Sequence, residues 1–179
     1  MIPGFVISWI TFPGVIVHEL AHALFCRLFG IGIYEIKYFQ LTTSFRAPTG
    51  YVVHEPAKHA WQNVVVAIGP LVVNTILGAI IAAPAAIPAL HFESVDVVNG
   101  FLLWLGVSIA MHSFPSTGDA ASIWRTISSK GTPLWTKVIG MPLIGLIYVG
   151  ALGSMLWLDL LYGLAVAGLL PNLLIKWLA

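Results

Sequence analysis

Five long stretches of this chain contain no Asp, Glu, Lys or Arg, and each approaches the length of a membrane span. A transmembrane helix needs about 20 predominantly apolar residues. The uncharged stretches cover residues 1–18, 59–92, 97–118, 138–158 and 160–175. Charged residues make up only 8% of the chain, whereas a soluble domain carries about 25%. A soluble globular protein and a disordered chain are therefore both excluded, and a membrane-embedded bundle is predicted.

The pattern predicts an α-helical integral membrane protein with about five transmembrane helices in a single membrane domain, residues 1–179. The predicted spans cover about 2–26, 61–83, 97–124, 138–157 and 160–178. All eight Lys and Arg residues then fall on one side of the membrane, which the positive-inside rule makes cytoplasmic. We therefore expect a multi-pass protein of a prokaryotic plasma membrane, with its N-terminus outside and its C-terminus in the cytoplasm. The net charge of +1 excludes the basic surface of a nucleic-acid-binding protein.

One sizeable segment between the first two spans is not predicted to cross the membrane. Residues 31–39 alternate partly and are rich in β-forming side chains, Pro48-Thr-Gly50 is typical of a turn, and Tyr51-Val-Val53 follows. We predict a small β-hairpin or sheet at the cytoplasmic interface, within an insert spanning 31–56. This insert belongs to a predicted catalytic core of about 1–126, and the helices of about 138–178 are expected to be accessory.

The sequence His18-Glu19-Leu-Ala-His22 stands within the first predicted span, where ionisable side chains are costly and functional by default. On a helix, His18 and His22 lie one turn apart on one face and can bind the same zinc ion. Glu19 beside them is suited to accept a proton from a water molecule at the metal. The alternative is a buried polar cluster that is hydrogen-bonded to neighbouring helices. Three ionisable groups in one turn favour the metal site.

A catalytic zinc site usually has three protein ligands, and depth in the membrane selects the third. His22 precedes the interfacial Arg27 by five residues, which is about 8 Å on a helix. Asp119 precedes Arg125 by six residues, which is about 9 Å. Both groups therefore lie at a similar depth, and Asp119 is the predicted third ligand. The alternative is that Asp119 caps a helix that restarts after Pro115.

Two further polar side chains within predicted spans are candidates for contact with a substrate. His112 lies seven residues before Asp119 and is suited to donate to a substrate carbonyl or oxyanion, or else it is a hydrogen-bonded core histidine. Asn74 is an amide in the second span and is either a helix-packing contact or an active-site donor. The residues alone leave both alternatives open.

At these residues the chain resembles the site-2 protease family of intramembrane zinc metalloproteases. Members of that family carry HExxH on one transmembrane helix and an aspartate on a later one, in a motif resembling Asn-x-x-Pro-x-x-Pro-x-Asp-Gly. The segments that carry the resemblance are His18-Glu19-Leu-Ala-His22, Gly50-Tyr-Val-Val53, Ala67-Ile-Gly-Pro-Leu-Val-Val-Asn74 and Pro115-Ser-Thr-Gly-Asp119-Ala120. The last segment is one residue shorter than the family pattern and lacks its final glycine. The resemblance covers about 10–125 and implies a minimal member without a PDZ or CBS domain.

The residues and the resemblance together predict an intramembrane zinc metalloendopeptidase with one Zn²⁺ per chain, held by His18, His22 and Asp119. Glu19 is the predicted catalytic base. The expected partners are the lipid bilayer and a membrane-protein substrate whose transmembrane segment must unwind before it is cleaved. The alternatives are a membrane zinc-binding or transport protein without hydrolysis, and a catalytically silent scaffold. The oligomeric state is not predicted.

Overall fold

A computed structural model describes residues 4–43, 47–91, 96–154 and 156–178 of the chain. Residues 44–46 of the predicted insert lie outside this part. The described helices are α1 (Gly4–Ile10), α2 (Phe12–Leu28), α3 (Ala60–His91), α4 (Val97–Met111), α5 (Thr117–Ile127), α6 (Leu134–Ser154) and α7 (Leu158–Leu178), and the described strands are β1 (Ile33–Lys37) and β2 (Tyr51–His54). The predicted combination of a helical protein with a small β-structure is confirmed.

Two helices of the described residues are long and apolar enough to cross a membrane, and the count rises to three if a bent pair is taken as one span. The two are α3 over Ala60–Ala86 and α6, and the bent pair is α1 with α2. Helices α4 and the apolar part of α7 (Leu158–Leu173) are shorter. Membrane association is therefore supported by two or three helices, and the five-span arrangement stays a prediction.

The first predicted span is not one straight helix, because the chain turns by 89° between α1 and α2. The backbone carbonyl of Thr11 at this bend accepts hydrogen bonds from the Gly14 N–H (3.0 Å) and from the Ser108 hydroxyl of α4 (2.9 Å). Pro13 follows as one of the first residues of α2, where its missing N–H costs little. The predicted first span, about 2–26, is therefore divided into two helices at Thr11, and a contact from α4 satisfies the interrupted backbone.

Helix α3 is longer than predicted and contains Pro84, before which the second span was expected to end. Proline is tolerated within apolar helices when neighbouring elements satisfy the freed backbone groups. Pro84 is exposed, whereas Ala82, Ala85 and Ala86 beside it in the helix are buried. The helix therefore continues past Pro84 with its small residues facing the interior.

Helices α3 and α4 approach each other closely through a pair of glycines. A Cβ atom at Gly78 would lie 2.8 Å from the Gly106 carbonyl oxygen, and a Cβ atom at Gly106 would lie 2.7 Å from the Gly78 carbonyl oxygen. Small residues at such crossings let helix backbones pack closely where lipid provides no hydrophobic driving force. The pair therefore fixes α4, which carries part of the site, against α3.

We expect Gly106→Ala to destabilise the fold by about 1–3 kcal/mol, the usual cost of overpacking. The measurement is thermal unfolding in detergent micelles. Gly100→Ala is the matched control in the same helix, because no neighbouring atom lies within 4 Å of its added Cβ. Equal stability of Gly106→Ala and Gly100→Ala would contradict the close approach of α3 and α4.

The third predicted span is broken rather than continuous over 97–124. Helix α4 ends at Met111, and α5 begins at Thr117 with Ser116 as its N-cap. Pro115 precedes that cap, and a proline disfavours helical conformation in the residue before it. The prediction that the helix continues to about Trp124 was therefore wrong, and the alternative, a helix that restarts after Pro115, is observed.

The predicted hairpin is present as an antiparallel pair of β1 and β2, with Glu35 opposite Val53 and Lys37 opposite Tyr51. The Tyr51 hydroxyl donates to Glu35 Oε1 at 2.6 Å, and this hydrogen bond raises the pKa of Tyr51. Glu55 N–H donates to the Gly32 carbonyl at 2.8 Å and extends the pairing by one step. The sheet has two strands, so β2 carries an edge that β1 does not cover.

The predicted corner near Asp159 separates α6 from α7, as expected. Trp157 adopts a left-handed backbone (φ 62°), and the Asp159 carboxylate accepts from the Ser154 hydroxyl at 2.9 Å. Helix α7 then packs on α3 and α4, where the Tyr162 hydroxyl lies 2.7 Å from the Thr75 hydroxyl. Gly163 allows this approach, because its added Cβ would lie 2.9 Å from Met111 Cβ.

Candidate metal centre

His18 and His22 lie on the buried face of α2, one turn apart. They are 9% and 6% exposed, whereas Leu20 and Leu24 on the other side of the helix are exposed. The Nε2 atoms of the two rings face each other at 3.1 Å. The i, i+4 spacing therefore brings both rings to one point, as the sequence predicted.

The opposite ring nitrogens of both histidines are held by backbone carbonyls. His18 Nδ1 donates to the His112 carbonyl oxygen at 2.7 Å, and His22 Nδ1 donates to the Val66 carbonyl oxygen at 2.9 Å. A carbonyl only accepts, so both Nδ1 atoms carry the proton. In neutral rings both Nε2 atoms then present lone pairs to each other, an arrangement that a bound metal ion, or a proton on one of the rings, would stabilise.

Asp119 joins the two histidines from the first turn of α5. Its Oδ1 atom lies 3.4 Å from His22 Nε2. Its Oδ2 atom accepts from the Ser116 backbone N–H and from the Ser116 hydroxyl, each at 2.7 Å. The two alternatives from the sequence are therefore both visible in one side chain: one oxygen caps the helix and the other faces the histidines.

The donor atoms of this trio suit a zinc ion. One ligand atom from each of His18, His22 and Asp119 lies within 4.8 Å of the others. Ligands about 2.0–2.1 Å from a tetrahedral zinc are about 3.3 Å apart, close to the observed 3.1 Å and 3.4 Å. Two neutral imidazoles and one carboxylate are also a common donor set for catalytic zinc. The structure thus brings together the three predicted ligands.

Glu19 is buried beside the trio, with 7% of its surface exposed. It lines a cavity of about 810 Å³ together with His18, His22 and Asp119, between β2, the start of α3 and α5. Gly50 covers Glu19 closely, since a Cβ atom there would lie 2.7 Å from Glu19 Cγ. The structure therefore puts the predicted base in the same cavity as the ligands.

His112 and Asn74 lie behind the metal centre, and neither is among the described residues that line this cavity. The His112 ring donates from Nδ1 to the Ser108 carbonyl at 3.0 Å. Asn74 is fully buried, and its Nδ2 lies within 3.3 Å of the carbonyls of Gly14, Ile109 and His112. Their contact with a substrate stays a prediction, and the observed contacts connect α2, α3 and α4.

The sequence did not reveal the supporting roles of several residues around the centre. Gly14 leaves room for Ser108 and for the His112 ring, where a Cβ would lie 2.7 Å from His112 Nδ1. Gly50 leaves room for Glu19, and the Val66 contribution is a backbone carbonyl that no side chain reveals. Ser116 was detectable, because Ser-x-x-Asp is a capping-box pattern.

Comparison with known proteins identifies one family. The profile of DUF3267, described as "Putative zincin peptidase", matches residues 11–134, which include the trio, Glu19 and the hairpin. The chain matches no curated protein and no solved structure. The description refers to zincin peptidases in general and not to site-2 proteases, and zincins are zinc metallopeptidases. Since the match covers more than half of the chain, the protein belongs to DUF3267, the family described as "Putative zincin peptidase".

Proposed function

We propose that this protein is an intramembrane zinc endopeptidase of the site-2 protease type, which hydrolyses peptide bonds in or near transmembrane segments. The observation that carries the proposal is the pair of Nε2 lone pairs on His18 and His22, 3.1 Å apart with the Asp119 carboxylate beside them. Only a cation makes this arrangement favourable. A protonated imidazole would supply one positive charge, but the three-ligand geometry and the family match favour zinc.

His18, His22 and Asp119 would hold one zinc ion per chain. Zinc, when bound, lowers the pKa of a water molecule and polarises the carbonyl of the scissile peptide. Glu19 accepts the proton that the attacking water loses and delivers it to the nitrogen of the leaving amine. Its burial next to Gly50 keeps the carboxylate fixed in the cavity. His112 and Asn74 are proposed as weaker candidates for substrate contact.

The β2 strand is the proposed binding surface for the substrate. A transmembrane helix cannot be attacked until it unwinds, because its backbone groups are bonded internally. Residues 50–54 of the hairpin line the cavity, and β2 has β1 on one side only. An unwound segment can add to the free edge of β2 as a further strand. Its scissile carbonyl would then lie close to Glu19, over which Gly50 packs.

The cavity is proposed to open toward the cytoplasm of a prokaryotic cell. Arg125 and Ser129 line its outer part, and Arg27 lies in the last turn of α2, on the side of the chain where all Lys and Arg residues were predicted. Water can enter from that side without crossing the apolar core. The proposed partners remain the lipid bilayer and a membrane-protein substrate.

The proposal is tested with the purified full chain in lipid vesicles. The substrates are a tagged single-span reporter and a soluble peptide of the same sequence. We expect one zinc ion per chain, cleavage of the embedded reporter, loss of cleavage with a chelator, and recovery when stoichiometric zinc is restored.

Other results would select the alternatives. A chain that binds zinc and cleaves neither substrate would favour a zinc-binding or transport protein. A chain that binds no zinc would favour a scaffold. Cleavage of the soluble peptide alone would support a zinc peptidase and contradict the intramembrane substrate.

A further inference from the structure

The break between α4 and α5 separates two backbone groups that a continuous helix would pair. In an α-helix each N–H donates to the carbonyl four residues earlier, so Ser116 N–H would donate to the His112 carbonyl. Here α4 ends at Met111, and the Ser116 N–H donates instead to Asp119 Oδ2 at 2.7 Å. The break therefore frees the His112 carbonyl as an acceptor.

Each freed group contacts one member of the metal trio. The His112 carbonyl accepts from His18 Nδ1 at 2.7 Å, and Asn74 Nδ2 donates to the same oxygen at 3.1 Å. On the other side of the break, Ser116 gives Asp119 two hydrogen bonds, from its N–H and from its hydroxyl. Asp119 N–H returns a bond to Ser116 Oγ at 3.2 Å and closes a capping box.

The capping box determines which carboxylate oxygen faces the histidines. Both Ser116 donors bind Oδ2, and Oδ1 is the atom that lies 3.4 Å from His22 Nε2. A carboxylate held in this way does not have to lose side-chain rotation when it binds a metal ion. Such outer hydrogen bonds orient metal ligands and are worth about 10–100-fold in metal affinity.

We propose that Ser116 is a positioning residue of the metal centre. The α4–α5 break replaces one helical hydrogen bond by hydrogen bonds to two of the metal-facing side chains. The His112 carbonyl orients His18, and Ser116 orients Asp119. This inference rests on the proposed function only in that the trio binds zinc. It assigns Ser116 no contact with the substrate. A cap that serves only the helix would leave the metal affinity unchanged when the hydroxyl is removed.

The test measures zinc affinity of the full chain in micelles by competition with a chromophoric chelator. Ser116→Ala removes the hydroxyl and keeps the backbone N–H, and we expect about tenfold or more weaker zinc binding. Ser116→Gly is a second variant without the hydroxyl, because Gly replaces Ser at an N-cap with little loss of helix stability. Ser116→Thr retains the hydroxyl and is expected to bind zinc with the affinity of the wild type. The visible spectrum of the Co²⁺-loaded chain reports whether the ligand geometry changes in parallel.

Asp96→Ala is the matched control, since the Asp96 carboxylate caps α4 by accepting from Asn99 N–H at 2.7 Å. It is expected to leave zinc affinity unchanged. Wild-type affinity in Ser116→Ala and Ser116→Gly would overturn the inference and leave the proposed function intact. An equal loss in Asp96→Ala would also overturn it, because the effect would then come from helix capping in general. A wild-type chain that binds no zinc would overturn the inference together with the proposed function.

Discussion

Glu19→Gln is expected to retain zinc and to lose cleavage by about 10²–10⁴-fold, the usual contribution of a general base. Glutamine keeps the shape of the buried side chain under Gly50 but cannot accept a proton from water. The ligand atoms of His18, His22 and Asp119 lie within 4.8 Å of one another, and Glu19 does not belong to this trio. The metal content should therefore stay at one zinc ion per chain while cleavage of the embedded reporter fails.

Asp96→Asn provides the matched control, a change from carboxylate to amide at the start of α4. Asn and Asp are about equally good as N-cap residues, so both zinc content and cleavage should match the wild type. The rate constant for cleavage and the zinc content are measured on the same preparations. Undiminished cleavage by Glu19→Gln would contradict the assignment of Glu19 as the base.

Features of the fold that depend on local chemistry could be predicted from the sequence. Uncharged stretches predicted the apolar helices α3 and α6, and Asp159 marked the corner before α7. The hairpin followed from β-forming residues around the Pro48-Thr-Gly50 turn. Each of these signals depends on residues that are neighbours in the chain.

The contact of α4 with the bend at Thr11, and the extension of α3 through Pro84, could not be predicted in this way. The bend depends on the Ser108 hydroxyl, which reaches the Thr11 carbonyl across 97 positions of sequence. Pro84 is exposed within α3, and the helix continues past it although local preference predicts an end there. The contact at Thr11 is a tertiary one, and local residue preferences do not determine it.

The candidate site divides in the same way. The i, i+4 spacing of His18 and His22 and the matched depth of Asp119 were sufficient to select the trio. The groups that orient the two rings are the backbone carbonyls of Val66 and His112, and every residue has such a carbonyl. The sequence therefore identifies the metal-facing side chains and does not identify what holds them in position.

Asp119→Ala is expected to weaken zinc binding and to reduce cleavage to background. The loss of zinc affinity should exceed the roughly 10–100-fold that is typical when a residue hydrogen-bonded to a metal ligand is removed. The substitution removes the carboxylate that faces His22 and also removes the capping box with Ser116. By itself it cannot distinguish a metal ligand from a helix cap, because both functions are lost together. Zinc affinity is measured by chelator competition, and cleavage is measured on the embedded reporter.

Asp119→Asn separates the two functions of this side chain. Its amide oxygen can still accept from the Ser116 N–H, and the N-cap residue Ser116 is unchanged, so α5 should remain capped. The amide carries no negative charge and is a much weaker zinc ligand than a carboxylate. If Asp119 is the third ligand, the Asn variant should keep the apo-protein's thermal stability yet lose zinc affinity and cleavage nearly as far as Asp119→Ala. If the carboxylate only caps α5, Asp119→Asn should bind zinc and cleave the reporter like the wild type, and the three-ligand site would have to be abandoned.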